Sequence, residues 1–110
     1  MFRKDEAIIF LMLEIIDKII SFSSEFKSAN EFEADVKSFD ATMMNFVALG
    51  ETVSKLSDKF KEKYNYIDWQ KIYAFRNIIA HDYFGIYAPE VWEIIKTHIP
   101  KLKSELENIN

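Results

Sequence analysis

Apolar side chains recur along almost the whole chain with a period near 3.6, the spacing of helices that bury one face. Ile8, Met12, Ile15, Ile16, Ile19 and Phe22 set out a first helix from about Lys4 to Phe26, and Ile9, Leu13 and Ile20 widen its stripe. An apolar arc that broad needs cover on more than one side, from neighbours in a bundle and from a second protomer. The polar run Ser23–Asn30 reads as the first connection. A second stripe, Val36, Phe39, Met43, Phe46 and Val47, predicts a helix from Phe32 or Asp35 to Leu49. Gly50 interrupts a pattern that resumes at Thr52, Val53, Leu56 and Phe60, so it marks a bend or a close helix contact.

Residues 63–66 form the next connection, and Asp68 is the expected N-cap of a short helix starting at Trp69 and running through Ile72, Phe75, Arg76 and Ile79. The segment 81–88 holds Gly85 and leads to Pro89, which suits the first turn of a final helix. Val91, Ile95, Ile99, Leu102, Leu106 and Ile109 make its stripe, and Pro100 is expected to kink it. The pattern predicts one all-α domain over residues 1–110, an antiparallel bundle of four to five helices.

Composition narrows the class. Two glycines and two prolines in 110 residues starve the chain of tight turns, which favours few long helices over short strands. With no cysteine there are no disulfides, thiolate metal sites or cysteine nucleophile, in keeping with a reducing cytoplasm. The apolar run Ala7–Leu13 is closed by Glu14, Asp17 and Lys18, too short for a membrane span, and Asp5 and Glu6 spoil a signal peptide. A soluble, cytoplasmic protein is expected.

The net charge of −4 does not favour nucleic acid, but it is uneven. Residues 1–70 carry 9 basic and 13 acidic side chains, whereas residues 71–110 carry 5 of each. Lys55, Lys59, Lys61, Lys63 and Lys71 precede the most polar cluster; such a stretch is either a solvated helix face or an attractor of phosphate.

That cluster is Arg76-Asn77-Ile78-Ile79-Ala80-His81-Asp82-Tyr83. A guanidinium that grips phosphate, beside an imidazole that moves protons near neutral pH, suffices to cleave RNA without a metal or cofactor. His81 would take or give a proton as a ribose 2′-hydroxyl attacks the adjacent phosphate, and Arg76 would brace the phosphate. Five residues of helix turn Arg76 and His81 about 140° apart, so they converge only if the helix ends near Ala80. Asn77, four residues before His81, could then hydrogen-bond the imidazole and fix its tautomer. One His does not readily serve as both base and acid, so the second role falls to water or to another protomer. The plainer reading gives Arg76 and His81 the work of capping a helix C-terminus, and makes Tyr83 a rim aromatic.

The run RNIIAHDY resembles the R-x4-H-x-Y signature of HEPN domains, specifically the HepT-like toxins of HEPN/MNT toxin–antitoxin pairs. LGET at Leu49–Thr52, YIDWQKIYAFRN at Tyr66–Asn77 and PEVWEIIKTHIPKL at Pro89–Leu102 are similar to further segments of that family, in order. Asp68 stands where the family usually has proline, and the amino-terminal segment diverges. The resemblance implies a helical bundle paired about a two-fold axis, with both motif copies in one cleft. It implies a metal-independent endoribonuclease with Arg76 and His81 catalytic and Asn77 supporting. The implied partner is a minimal nucleotidyltransferase (MNT) antitoxin, which in this family can transfer AMP to the motif tyrosine, here Tyr83. The alternative is a non-catalytic helical module that binds a nucleotidyltransferase.

Overall fold

A computed structural model describes residues 2–109, and among these every element is helical. Helix α1 spans Arg3–Ser23, α2 Ala29–Ala34, α3 Val36–Lys55, α4 Asp58–Lys63 and α5 Trp69–His81. A short 3-10 turn, Tyr83–Gly85, leads to a final rod made of α6 (Ala88–Glu93), a π-helical turn (Ile94–His98) and α7 (Ile99–Glu107). The core of the bundle is α3, flanked by α1 on one side and α5 on the other.

Each start from α2 to α5 has a local chemical cause. Ser28, Asp35, Ser57 and Asp68 accept the otherwise orphaned amides of Glu31, Ser38, Phe60 and Lys71, at 3.2, 3.1, 3.2 and 3.0 Å. Asp35 both ends α2 and caps α3, so the single helix expected from Phe32 or Asp35 becomes two. The supposed connection Ser23–Asn30 is correspondingly shorter, with α2 already under way at Ala29. Of the two readings of Gly50, a bend or a close helix contact, the second holds: α3 runs through it against α5, and the break falls at Leu56–Ser57.

Most of the predicted stripe residues become the core, although Val36 is exposed. Ile8, Met12, Ile15, Ile16 and Ile19 of α1 are buried, as are Phe39, Met43 and Phe46 of α3 and Val91, Ile95, Ile99, Leu102 and Leu106 of the final rod. Phe32 is a hub, its ring 5.8, 5.3 and 5.6 Å from those of Phe26, Phe39 and Trp92. Asp5 is buried and accepts from the Ser57 amide (2.7 Å) and hydroxyl (2.8 Å), which pins the start of α1 to the cap of α4. On the far side of the broad α1 arc, Phe10 and Leu11 face solvent.

Pro100 distorts the final helix, but upstream of itself. The ring collides with the carbonyl one turn earlier and offers no amide, so the helix widens at Ile94–His98, with Ile99 N bonded to Ile94 O. Between this rod and α5 lies a groove of about 540 Å³, floored by Phe46, Leu49, Ile72, Phe75 and Ile94. Among the described residues no helix is long and apolar enough to cross a membrane.

Candidate active site

Helix α5 carries the motif, and three contacts set where it lies. Asp68 caps it, Trp69 is buried with its Nε1 donating to Tyr64 O at 3.2 Å, and Phe75 meets Phe46 of α3 edge-on at 5.0 Å. The two helices meet tightly at Gly50. A Cβ there would overlap the Arg76 Cβ and lie 2.8 Å from its Cγ, so glycine is what allows α3 and α5 to meet at the arginine.

Arg76 is held by its neighbours. Its Nη2 pairs with the Glu51 carboxylate, one residue beyond the contact glycine, and its Nη1 donates to Asn77 Oδ1 at 2.8 Å. The Nε is buried without a partner, and the guanidinium carbon lies 6.0 Å from the Tyr73 ring centre. Two of five N–H donors are thus engaged, and each terminal nitrogen keeps one N–H to offer a phosphate end-on.

His81 is the last residue of α5 and is exposed, with Asp82 as the cap residue whose amide bonds to Ile78 O at 3.0 Å. The helix therefore does not end before His81, contrary to what convergence of Arg76 and His81 within one chain requires. The two point about 140° apart on the same helix. Among the described residues no hydrogen bond joins Asn77 to the imidazole; its carboxamide oxygen accepts from Arg76, a charged donor.

After the helix the chain folds back on itself. Gly85 N donates to Asp82 O at 3.1 Å, and the Asp82 carboxylate occupies the space a Cβ at position 85 would need, its Cγ 2.6 Å away. This turn places Tyr83 against α3, where its hydroxyl donates to the Asp40 carboxylate. Partial burial, the hydrogen bond to Asp40 and that carboxylate's charge push the Tyr83 phenol up to about 12. The phenol is only partly covered, and Phe84 beside it is fully exposed.

Two lysines of the basic stretch ahead of the motif are engaged locally. Lys61 pairs with Asp58 at 3.7 Å, and Lys63 lies over the Phe2 and Tyr64 rings at 5.3 and 5.4 Å. Among the described residues no group of three or more His, Cys, Asp or Glu is placed to hold a metal ion.

The pattern described as "Ribonuclease HepT-like" matches residues 12–109, nearly the whole chain and all of the site just described. The chain belongs to the HepT-like ribonuclease family. A Methanocaldococcus jannaschii protein named "Putative RNase MJ1380" is 31% identical over 105 residues, covering 96% of this chain and 95% of that protein. "Probable ribonuclease HepT" of Thermococcus cleftensis is 28% identical over 96 residues, or 87% of this chain and 86% of the relative. A longer M. jannaschii protein, "Gamma-glutamylcyclotransferase and putative RNase MJ0434", is 34% identical over 98 residues; the match covers 89% of this chain but 44% of that relative. No solved structure matches. As a HepT-like ribonuclease the chain is an enzyme acting on RNA, and the all-helical bundle is the expected scaffold.

Two site residues escaped the sequence reading. Glu51 sits in the LGET segment, yet only the Gly50 contact reveals that it faces Arg76. Asp40 is 43 residues from Tyr83, and no local pattern joins them.

Proposed function

We propose that this chain is the toxin of a HEPN/MNT pair, a metal-independent endoribonuclease that acts as a homodimer. The observation that carries this reading is the layout of α5, with a braced Arg76 and an exposed His81 that diverge on one helix. Divergent groups with one imidazole between them make half a site. A two-fold partner adds a second Arg76 and a second His81 to the same cleft. One His81 then takes the 2′-hydroxyl proton as that oxygen attacks phosphorus, and the other protonates the departing 5′-oxygen. Arg76 steadies the charge on the phosphate, while Glu51 and Asn77 keep the guanidinium aimed. Exposed apolar side chains around the motif, Ile78, Phe84 and Tyr87, suit a surface that a second copy covers.

The antitoxin in this reading is a minimal nucleotidyltransferase that moves AMP onto Tyr83. The phenol lies two residues from His81, and an adenylate there fills the cleft and repels RNA phosphates. RNA cleavage by purified protein tests the proposal. Wild type is expected to leave 2′,3′-cyclic phosphate ends in the presence of EDTA, and Arg76→Ala and His81→Ala to leave RNA intact while keeping their helical spectrum. Cleavage by His81→Ala at the wild-type rate overturns it, and inactivity of unmodified wild type favours a non-catalytic module that binds the nucleotidyltransferase.

A further inference from the structure

We infer that Asp40 is the general base for Tyr83, taking the phenolic proton as the tyrosine oxygen attacks an electrophilic phosphorus. The inference rests, for its biological substrate, on adenylylation of Tyr83 as proposed above; the carboxylate–phenol pair itself stands on geometry.

A phenol is a poor nucleophile while it holds its proton, and near neutral pH Tyr83 holds it firmly. Attack on phosphorus changes that, because the phenol becomes strongly acidic once its oxygen begins to bond. The group needed is an acceptor already in hydrogen-bond contact when the bond forms. Asp40 is that acceptor: its Oδ1 receives the Tyr83 hydroxyl hydrogen, it projects from α3 rather than from the motif itself, and it is exposed. Tyr66 and Tyr87 are more accessible than Tyr83, at 57% and 67% exposure, yet neither hydroxyl meets a carboxylate among the described residues. Exposure alone therefore does not choose the modified tyrosine. The carboxylate does.

In the adenylyl step the Tyr83 Oη–Pα bond forms and the bond from Pα to the bridging oxygen of the nucleoside triphosphate breaks. Pyrophosphate leaves with the bonding pair, and the phenolic proton passes to Asp40 and then to water. The product carries a phosphodiester where Asp40 held a hydroxyl, so the contact with α3 cannot re-form.

The test uses a small phosphorus electrophile, diisopropyl phosphorofluoridate, which needs no partner protein. Purified chain is treated near neutral pH and the adduct located by peptide mass analysis. Wild type is expected to be labelled at Tyr83, Tyr83→Phe to lose that label, and Asp40→Asn to react about 100-fold more slowly. The sign is decisive. Removing the Asp40 charge makes the phenol easier to ionise, so faster labelling of Asp40→Asn, an unchanged rate, or no wild-type label at Tyr83 overturns the inference. The same variants are then offered ATP, Mg2+ and a minimal nucleotidyltransferase. Asp40-dependent labelling by the fluoridate with no adenylate transfer to wild type rejects the adenylylation reading and leaves Asp40 as the base. Adenylation of Asp40→Asn at the wild-type rate rejects Asp40 in that step.

Discussion

At the scale of single residues, the motif works through partners that sequence distance hides. Tyr83 is raised to about 12 by its partial burial and by Asp40. Its folded-state value lies above that of a free phenol, near 10, so the pair's stabilising effect is complete below about pH 10 and fades as pH climbs through 12. Absorbance titration at 295 nm is expected to show one phenol ionising late in wild type and earlier in Asp40→Asn, where the neighbouring charge is gone. Arg76 and His81 were legible as candidates because their chemistry and spacing are local. Glu51 and Asp40 were not, since what matters is which helix faces which, and that is fixed only when α3 and α5 dock.

At the scale of helices, most of the stripes were readable, as were the Asp68 cap and the start of α5 at Trp69, whereas the caps at Ser28, Asp35 and Ser57 were not anticipated. What sequence could not settle was whether Gly50 bends its helix or lets another one close. The two readings use the same residue, and only the position of α5 decides between them. Asp68→Ala removes one cap hydrogen bond and is expected to cost about 1 kcal/mol in denaturant titration without affecting cleavage at low temperature. Gly50→Ala is expected to cost about 1–3 kcal/mol by overpacking, and to depress cleavage even where the protein is folded, because the added methyl displaces Arg76. Equal activity of the two variants under native conditions would refute that role for Gly50. Pro100 was legible as a disturbance, but its effect spreads upstream over Ile94–His98, where the lost amide and the ring's collision are absorbed.

At the scale of the whole molecule, the bundle measures 45 × 27 × 20 Å and leaves its chemistry on the surface. Phe10 and Leu11 on α1, Met44 on α3 and Ile78 and Phe84 at the motif are all exposed. The sequence pattern anticipated an apolar excess on α1, but not its spread to other helices, since periodicity describes one helix at a time. If two copies share one site, inactive subunits poison active ones. Equimolar His81→Ala, exchanged into wild type through mild unfolding, is expected to leave about a quarter of the activity rather than half. A fall to half would mean that each subunit cuts alone.

Helix α5 rests chiefly on α3, while the groove along its other side is open toward the final rod. A helix supported along one edge opens locally at lower free energy than the one at the centre of the bundle. Amide hydrogen exchange should therefore be slowest along α3 and appreciably faster from Tyr73 to His81. Arg76 and His81, the residues proposed to cut, then ride on one of the quicker parts of a slow molecule, and whatever lies against the open edge of α5 sets their tempo.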